Sequence, residues 1–174
     1  MTPAPETKPL VWITGAGGLL GSILVQTAPQ FAPRWRVRAI TRDQLDLLDF
    51  AAVEREYLQD SPSLLIHCAA ISSVAAAQAN PALARQVNVE LTRFLAGLAV
   101  DIPFVFFSTD IVFDGRRGNY REMDPANPLH LYGETKAVLA RLMPLTEHLV
   151  GKLLEADDMS LKEALFEIRS FMAI

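Results

Sequence analysis

Leu10-Val11-Trp12-Ile13-Thr14-Gly15-Ala16-Gly17-Gly18-Leu19-Leu20-Gly21 is the stretch that decides the fold. Its first five residues are apolar or β-branched and stop at glycine, which predicts a buried strand. From Leu19 to Gln30 the pattern is helical and ends before Pro33. Glycines 15, 18 and 21 stand between the two as GxxGxxG. A strand-to-helix turn needs glycine for the tight turn itself, for close approach of backbone N–H groups to a pyrophosphate, and for close packing of the helix on the strand. The helix N-terminus then faces the phosphates with its partial positive charge. The turn therefore points to a bound dinucleotide held by Gly15, Gly17, Gly18, Leu19, Leu20 and Gly21.

Working outward, Arg36 to Thr41 alternates as a second strand, and Gln44 to Leu48 fits a short edge strand. Asp49 can cap a helix running to about Gln59. Ser63 to His67 is the next strand. Asn80-Pro81 supplies a cap and an N1 proline to a long helix ending near Val100. Ile102 to Phe107 is another apolar strand. Strand and helix alternate, which predicts an α/β, Rossmann-type doubly wound parallel sheet of about five strands in the order 3-2-1-4-5, with helices on both faces. Beyond Met143-Pro144 the pattern turns helical again: Leu145, Leu149 and Leu153 recur, and Ser160-Leu161-Lys162-Glu163 is a capping box. The expected organisation is a flexible start over 1–9, a nucleotide-binding domain over 10–143, and a helical C-terminal extension over 144–174 that lies over exposed sheet or pairs two copies.

The chain has 174 residues, 51% hydrophobic and 21% charged, with a net charge of −4, and no basic block. That balance argues against nucleic acid as a partner. No apolar run reaches the length of a membrane span. Met1 to Pro9 lacks the apolar core of a signal peptide, so a cytoplasmic setting is expected. Cys68 is the only cysteine, which excludes an internal disulfide and a cysteine-based metal cluster. No metal site is expected from the spacing of the other candidate ligands.

At the end of the second strand stand Arg42 and Asp43. An acidic residue there suits the ribose hydroxyls of NAD, whereas an arginine suits the 2′-phosphate of NADP. Arg42 tilts the reading to NADP(H), with NAD as the alternative. Further along, Tyr132-Gly133-Glu134-Thr135-Lys136 places a tyrosine and a lysine on one helix face. Hydride transfer to a ketone leaves an alkoxide that needs a proton. Tyrosine can give one, and a nearby ammonium lowers a phenol pKa that is ordinarily near 10. Ser108 and Thr109 follow an apolar strand, at the carboxyl edge where such sheets bind ligands.

These residues resemble the extended short-chain dehydrogenase/reductases, and among them the sugar-nucleotide-binding family of dTDP-4-dehydrorhamnose reductase. The resemblance covers about residues 10–142 and rests on the glycine turn, Leu45-Asp46-Leu47-Leu48-Asp49, His67-Cys68-Ala69-Ala70, Val87-Asn88-Val89, Ser108-Thr109-Asp110-Ile111-Val112-Phe113-Asp114-Gly115 and Pro128 to Lys136. It implies a catalytic Thr109, Tyr132 and Lys136, with Tyr132 as proton donor and Lys136 also holding the nicotinamide ribose. It implies cofactor contacts from Asp46 and Leu47 near the adenine, from Cys68, Ala69 and Ala70, and from Asn88, Ser108, Tyr132 and Lys136, with Asn88 also tying the helix to the active-site region. His67 is expected to be a packed strand-end residue, since relatives often carry Asn-Ala-Ala in this region.

The implied activity is NAD(P)H-dependent reduction of a 4-keto nucleotide sugar by a monomer or homodimer. Family members continue beyond this helix into further strands and a substrate domain, so the chain reads as truncated. The alternatives are a non-catalytic dinucleotide-binding or regulatory protein, like the β subunit of methionine adenosyltransferase, and an inactive truncated member.

Overall fold

The structure, a computed structural model, describes residues 8–121 and 124–140. The expected flexible start and the C-terminal helices fall on residues outside this range.

Four strands form one parallel sheet in the order β2-β1-β3-β4. They are β1 (Leu10–Thr14), β2 (Arg36–Ile40), β3 (Leu64–His67) and β4 (Phe104–Phe106). The two central strands, β1 and β3, are buried at every position. That is why they read as continuous apolar runs, as strands covered on both faces do. In register, Trp12 lies between Arg38 and Leu65, and His67 pairs with Thr14 and Phe106.

The helices are α1 (Leu19–Phe31), α2 (Phe50–Asp60), α3 (Val74–Ala79), α4 (Pro81–Arg85), α5 (Leu91–Leu98) and α6 (Leu131–Ala140). One face of the sheet packs Val11, Ile13, Leu64 and Ile66 against Leu20 and Leu24 of α1. The other packs Trp12, Ile40 and Leu65 with Val53 of α2 and Leu91 and Leu95 of α5. Burying side chains of this size contributes about 1.5–3 kcal/mol each and outweighs local propensity. The predicted caps are in place: Asp49 Oδ1 accepts from the Ala52 amide at 3.0 Å and Asn80 Oδ1 from the Leu83 amide at 3.1 Å.

Two expectations are corrected. Gln44–Leu48 is a turn, so the sheet has four strands among the described residues, in the predicted order without that edge strand. Side chains capture the backbone there: Gln44 Oε1 accepts from the Thr41 amide and Asp46 Oδ1 from the Leu48 amide, while Leu45 drops into the core. Local bonds of this kind compete with ladder pairing. The predicted long helix is also interrupted in type, passing from α4 to α5 through a π turn at Gln86–Glu90.

Candidate functional site

Every predicted site segment except the π turn and α6 directly follows the C-terminal end of a strand. After β1, Gly15 takes φ +68 and its carbonyl accepts from the Gly18 amide at 2.9 Å. The Ala16 amide donates to the Ile40 carbonyl at 3.1 Å, tying the turn to β2. A Cβ at Gly15 would lie 2.5 Å from the Ala69 nitrogen, so the turn passes hard against the end of β3. A Cβ at Gly21 would strike the Gly15 carbonyl oxygen and come within 2.8 Å of Ala16 Cα. These two positions need glycine because backbone meets backbone.

Gly18 caps α1 without a side chain, and the first turn of the helix carries no acidic residue. Gly17, Gly18 and Leu19 are exposed, Leu19 by 79%. The uncapped N–H groups therefore face outward, as an anion site requires. A dinucleotide diphosphate fits this cradle.

Arg42 and Asp43 are both exposed after β2. The Thr41 hydroxyl and its own backbone hold the Asp43 carboxyl below the usual carboxylate range. Arg42 makes no ion pair among the described residues. Asp46 stays exposed beside its turn, and Leu47 leans on the core. Cys68, Ala69 and Ala70 are half-buried beneath the glycine turn, with the Cys68 amide donating to Thr14 O at 3.1 Å. Burial pushes the Cys68 thiol up to about 12, against the opposing pull of Lys136.

Beyond β4, Ser108 is exposed and Thr109 half-buried. The loop from Thr109 to α6 is stitched by Asp114, which accepts from the Tyr120 hydroxyl at 2.5 Å and from Asn127 Nδ2 at 2.9 Å. Those bonds, Tyr120 first, hold its carboxyl at about 2. Phe113 stacks on Tyr120 at 4.4 Å, and the Asn127 amide returns to the Val112 carbonyl at 2.9 Å. A Cβ at Gly133 would strike the Ile111 carbonyl, so α6 presses against the turn that follows Thr109. Tyr132 is thereby brought beside Thr109, whose side chain acts on its phenol.

Tyr132 is 7% exposed and Lys136 4%. The Lys136 ammonium donates to the Phe107 carbonyl at 3.2 Å and sits 4.3 Å over the Phe106 ring. Burial lowers it to about 8, with Cys68 opposing.

The expected lowering of the Tyr132 pKa by Lys136 is not among the influences on the phenol. Burial raises the phenol, Thr109 partly offsets that, and Asp110 raises it further. The ammonium is directed to Phe107 and Phe106 instead. Asn88, expected both to contact the cofactor and to tie the helix to the active-site region, is 0% exposed. Its amide exchanges hydrogen bonds with Ile71 N and O at 2.8 and 3.0 Å and donates to Thr135 Oγ1 at 3.0 Å. It ties α6 to the loop after β3 and turns no polar atom outward. Sequence reasoning missed Phe106 as the seat of the lysine and Gly133 as a close contact. The glycine between Tyr132 and Lys136 was the available signal for the second. Among the described residues no group of His, Cys, Asp or Glu could hold a metal ion.

A four-stranded parallel sheet with helices on both faces and its candidate site at the strand ends defines a Rossmann-type α/β protein. Residues 9–142 match the RmlD substrate binding domain family, and the chain belongs to it. It is 40% identical over 139 residues to dTDP-4-dehydrorhamnose reductase of Streptomyces griseus, covering 78% of this chain and 44% of that one. It is 37% identical over 135 residues to methionine adenosyltransferase 2 subunit beta of Bos taurus, covering 72% of this chain and 40% of that one. Among solved structures, dTDP-4-dehydrorhamnose reductase from Bacillus anthracis, in complex with NADP, superposes with a TM-score of 0.71 at 27% identity. That superposition covers 84% of this chain and 51% of the other. The chain thus spans about half the length of the relatives it matches.

Proposed function

We propose that this chain is an NADP(H)-dependent reductase unit acting on a 4-keto nucleotide sugar, with Tyr132 as proton donor. The observation that supports the reading is the close packing of α6, which carries Tyr132 and Lys136, on the turn after Thr109, at the sheet edge that also bears the glycine turn. A reduced nicotinamide, when bound, would supply the hydride for a ketone carbon. The chain's own groups do the rest. The amides of Gly17 to Leu20 hold the diphosphate, and Arg42 takes the 2′-phosphate, with NAD the alternative where that contact is not used. Ala69 and Ala70, beside the glycine turn, would line the cofactor.

Burial keeps the Tyr132 phenol protonated at neutral pH, the state a donor needs. Its O–H bond breaks as the carbonyl oxygen takes the proton, and the Thr109 hydroxyl holds that oxygen. Lys136 lies one helical turn away, where its ammonium can meet the nicotinamide ribose and stabilise the phenolate once the phenol has given up its proton. The dinucleotide-binding unit is residues 10–143, working in the cytoplasm as a monomer or homodimer.

The test is NADPH oxidation with a dTDP-4-keto-6-deoxy sugar, in wild type and Tyr132→Phe. Turnover that disappears in the variant while NADPH affinity holds supports the reading. NADPH binding without oxidation supports a second reading, a non-catalytic dinucleotide-binding or regulatory protein. That reading is favoured by Lys136 donating to the Phe107 carbonyl and by the likeness to the methionine adenosyltransferase subunit.

A further inference from the structure

A buried polar chain that the proton transfer above leaves unused runs from the glycine turn to α6. His67, 1% exposed, ends β3. Its Nδ1 lies 2.6 Å from Thr14 Oγ1, one residue before Gly15, and its Nε2 lies 3.0 Å from Thr92 Oγ1 on α5. The Thr92 hydroxyl donates its single proton to the Asn88 carbonyl at 2.9 Å, so toward His67 it can only accept. Nε2 therefore carries the ring hydrogen, and Nδ1 accepts from Thr14. The ring is neutral: burial, with Lys136 nearby, lowers it to about 3.

Beyond Thr92 the chain continues through Asn88. Its Nδ2 donates to Thr135 Oγ1 at 3.0 Å, and Thr135 in turn donates to the Tyr132 carbonyl at 2.7 Å. A second route leaves the face of the imidazole. The ring lies 6.3 Å from Phe106, its register partner in β4, at 24°. Phe106 also carries the Lys136 ammonium, 4.3 Å from its ring centroid. One route reaches α6 through hydrogen bonds and the other through an aromatic stack. Both converge on the helical turn that carries Lys136.

We propose that His67 is a positioning residue for Lys136, a neutral clamp that fixes the Phe106 seat of the ammonium and holds α6 in register with the glycine turn. The proposal deepens the reductase reading and rests on it only for NADPH binding. Lys136 has Phe107 O and a ring face as its partners, so a small displacement admits water and relieves the burial that lowers its pKa.

The experiment follows lysine Cε by carbon NMR in the ligand-free full chain, with Lys136→Met to assign the signal. Wild-type Lys136 should titrate near 8. Thr92→Val keeps the volume and removes the Nε2–H acceptor, while His67→Phe keeps the ring against Phe106 and loses both hydrogen bonds. Each should raise the Lys136 midpoint by at least about half a unit, a threefold change in proton affinity. Each should also weaken NADPH binding. A purely structural role would lower the melting temperature and leave the lysine titration where it was, and that result in a folded variant overturns the proposal. Should neither variant fold, imidazole nitrogen shifts of wild type decide: a hydrogen on Nδ1, or charging near neutral pH, refutes the clamp. Absence of NADPH binding by wild type would defeat the reductase reading alone and leave the lysine titration to judge His67.

Discussion

Gly15→Ala is the sharpest perturbation of the turn. At φ +68 an L-residue is strained by roughly 1–2 kcal/mol. The new Cβ would also lie 2.5 Å from the Ala69 nitrogen, about 0.9 Å inside an ordinary 3.4 Å contact. The neighbour is backbone in the middle of the sheet edge, so it cannot swing aside, and overpacking of this kind costs about 1–3 kcal/mol. The sum, about 2–5 kcal/mol, is read as a shift in urea midpoint at constant slope. A turn that gives way by nearly an ångström also takes its N–H groups off the diphosphate. Losing one charge-assisted hydrogen bond costs about 1.5–3 kcal/mol, so NADPH affinity should fall roughly tenfold to a hundredfold by calorimetry. Gly115→Ala is the control. Its φ is +66 but its Cβ would meet nothing within 4 Å, so it carries the backbone strain without the collision and should leave NADPH affinity unchanged. A Gly15→Ala protein within about 0.5 kcal/mol of wild type, binding NADPH equally well, would refute the reasoning.

Other outcomes follow from the same structure. Arg42→Ala should weaken NADPH binding about tenfold and leave NADH binding unchanged, as measured by parallel titrations. Gly133→Ala should drive α6 off the Ile111 carbonyl and part Tyr132 from Thr109, lowering kcat about tenfold or more and weakening NADPH binding as Lys136 shifts with its helix. His67 titrates near 3 when folded and near 6.5 when unfolded. Below pH 6.5 the unfolded chain therefore binds the extra proton, and stability falls with pH, by roughly 2–3 kcal/mol between pH 6.5 and 4.5. Denaturation across that window should show the loss, and His67→Phe should flatten it.

Much of this was legible in the residues. Glycine spacing, the apolar runs of β1 and β3, and the caps at Asp49 and Asn80 are local signals, and the structure carries each of them. Gln44–Leu48 misled because Leu45 and Leu47 alternate as strand residues do, while Gln44 and Asp46 bind backbone and close a turn instead. The π turn leaves no periodicity of its own, since its residues are as helical in pattern as their neighbours. In the site, the four-residue spacing put Tyr132 and Lys136 on one face. It could not show which partner the ammonium takes, because Phe106 at the end of β4 and Phe107 just after it lie some thirty residues away in sequence. His67 was legible as a packed strand-end residue. Its tautomer depends on hydroxyls from β1 and α5, and only the fold brings those together.

The central claim is that one dinucleotide spans the glycine turn and the Tyr132–Lys136 helix. Backbone amide NMR during NADPH titration tests it most directly. Saturable shifts at Gly17, Gly18, Leu19 and Leu20 together with Tyr132 and Lys136, sharing one dissociation constant, are the predicted result. Shifts confined to one end, or none at millimolar NADPH, would contradict it.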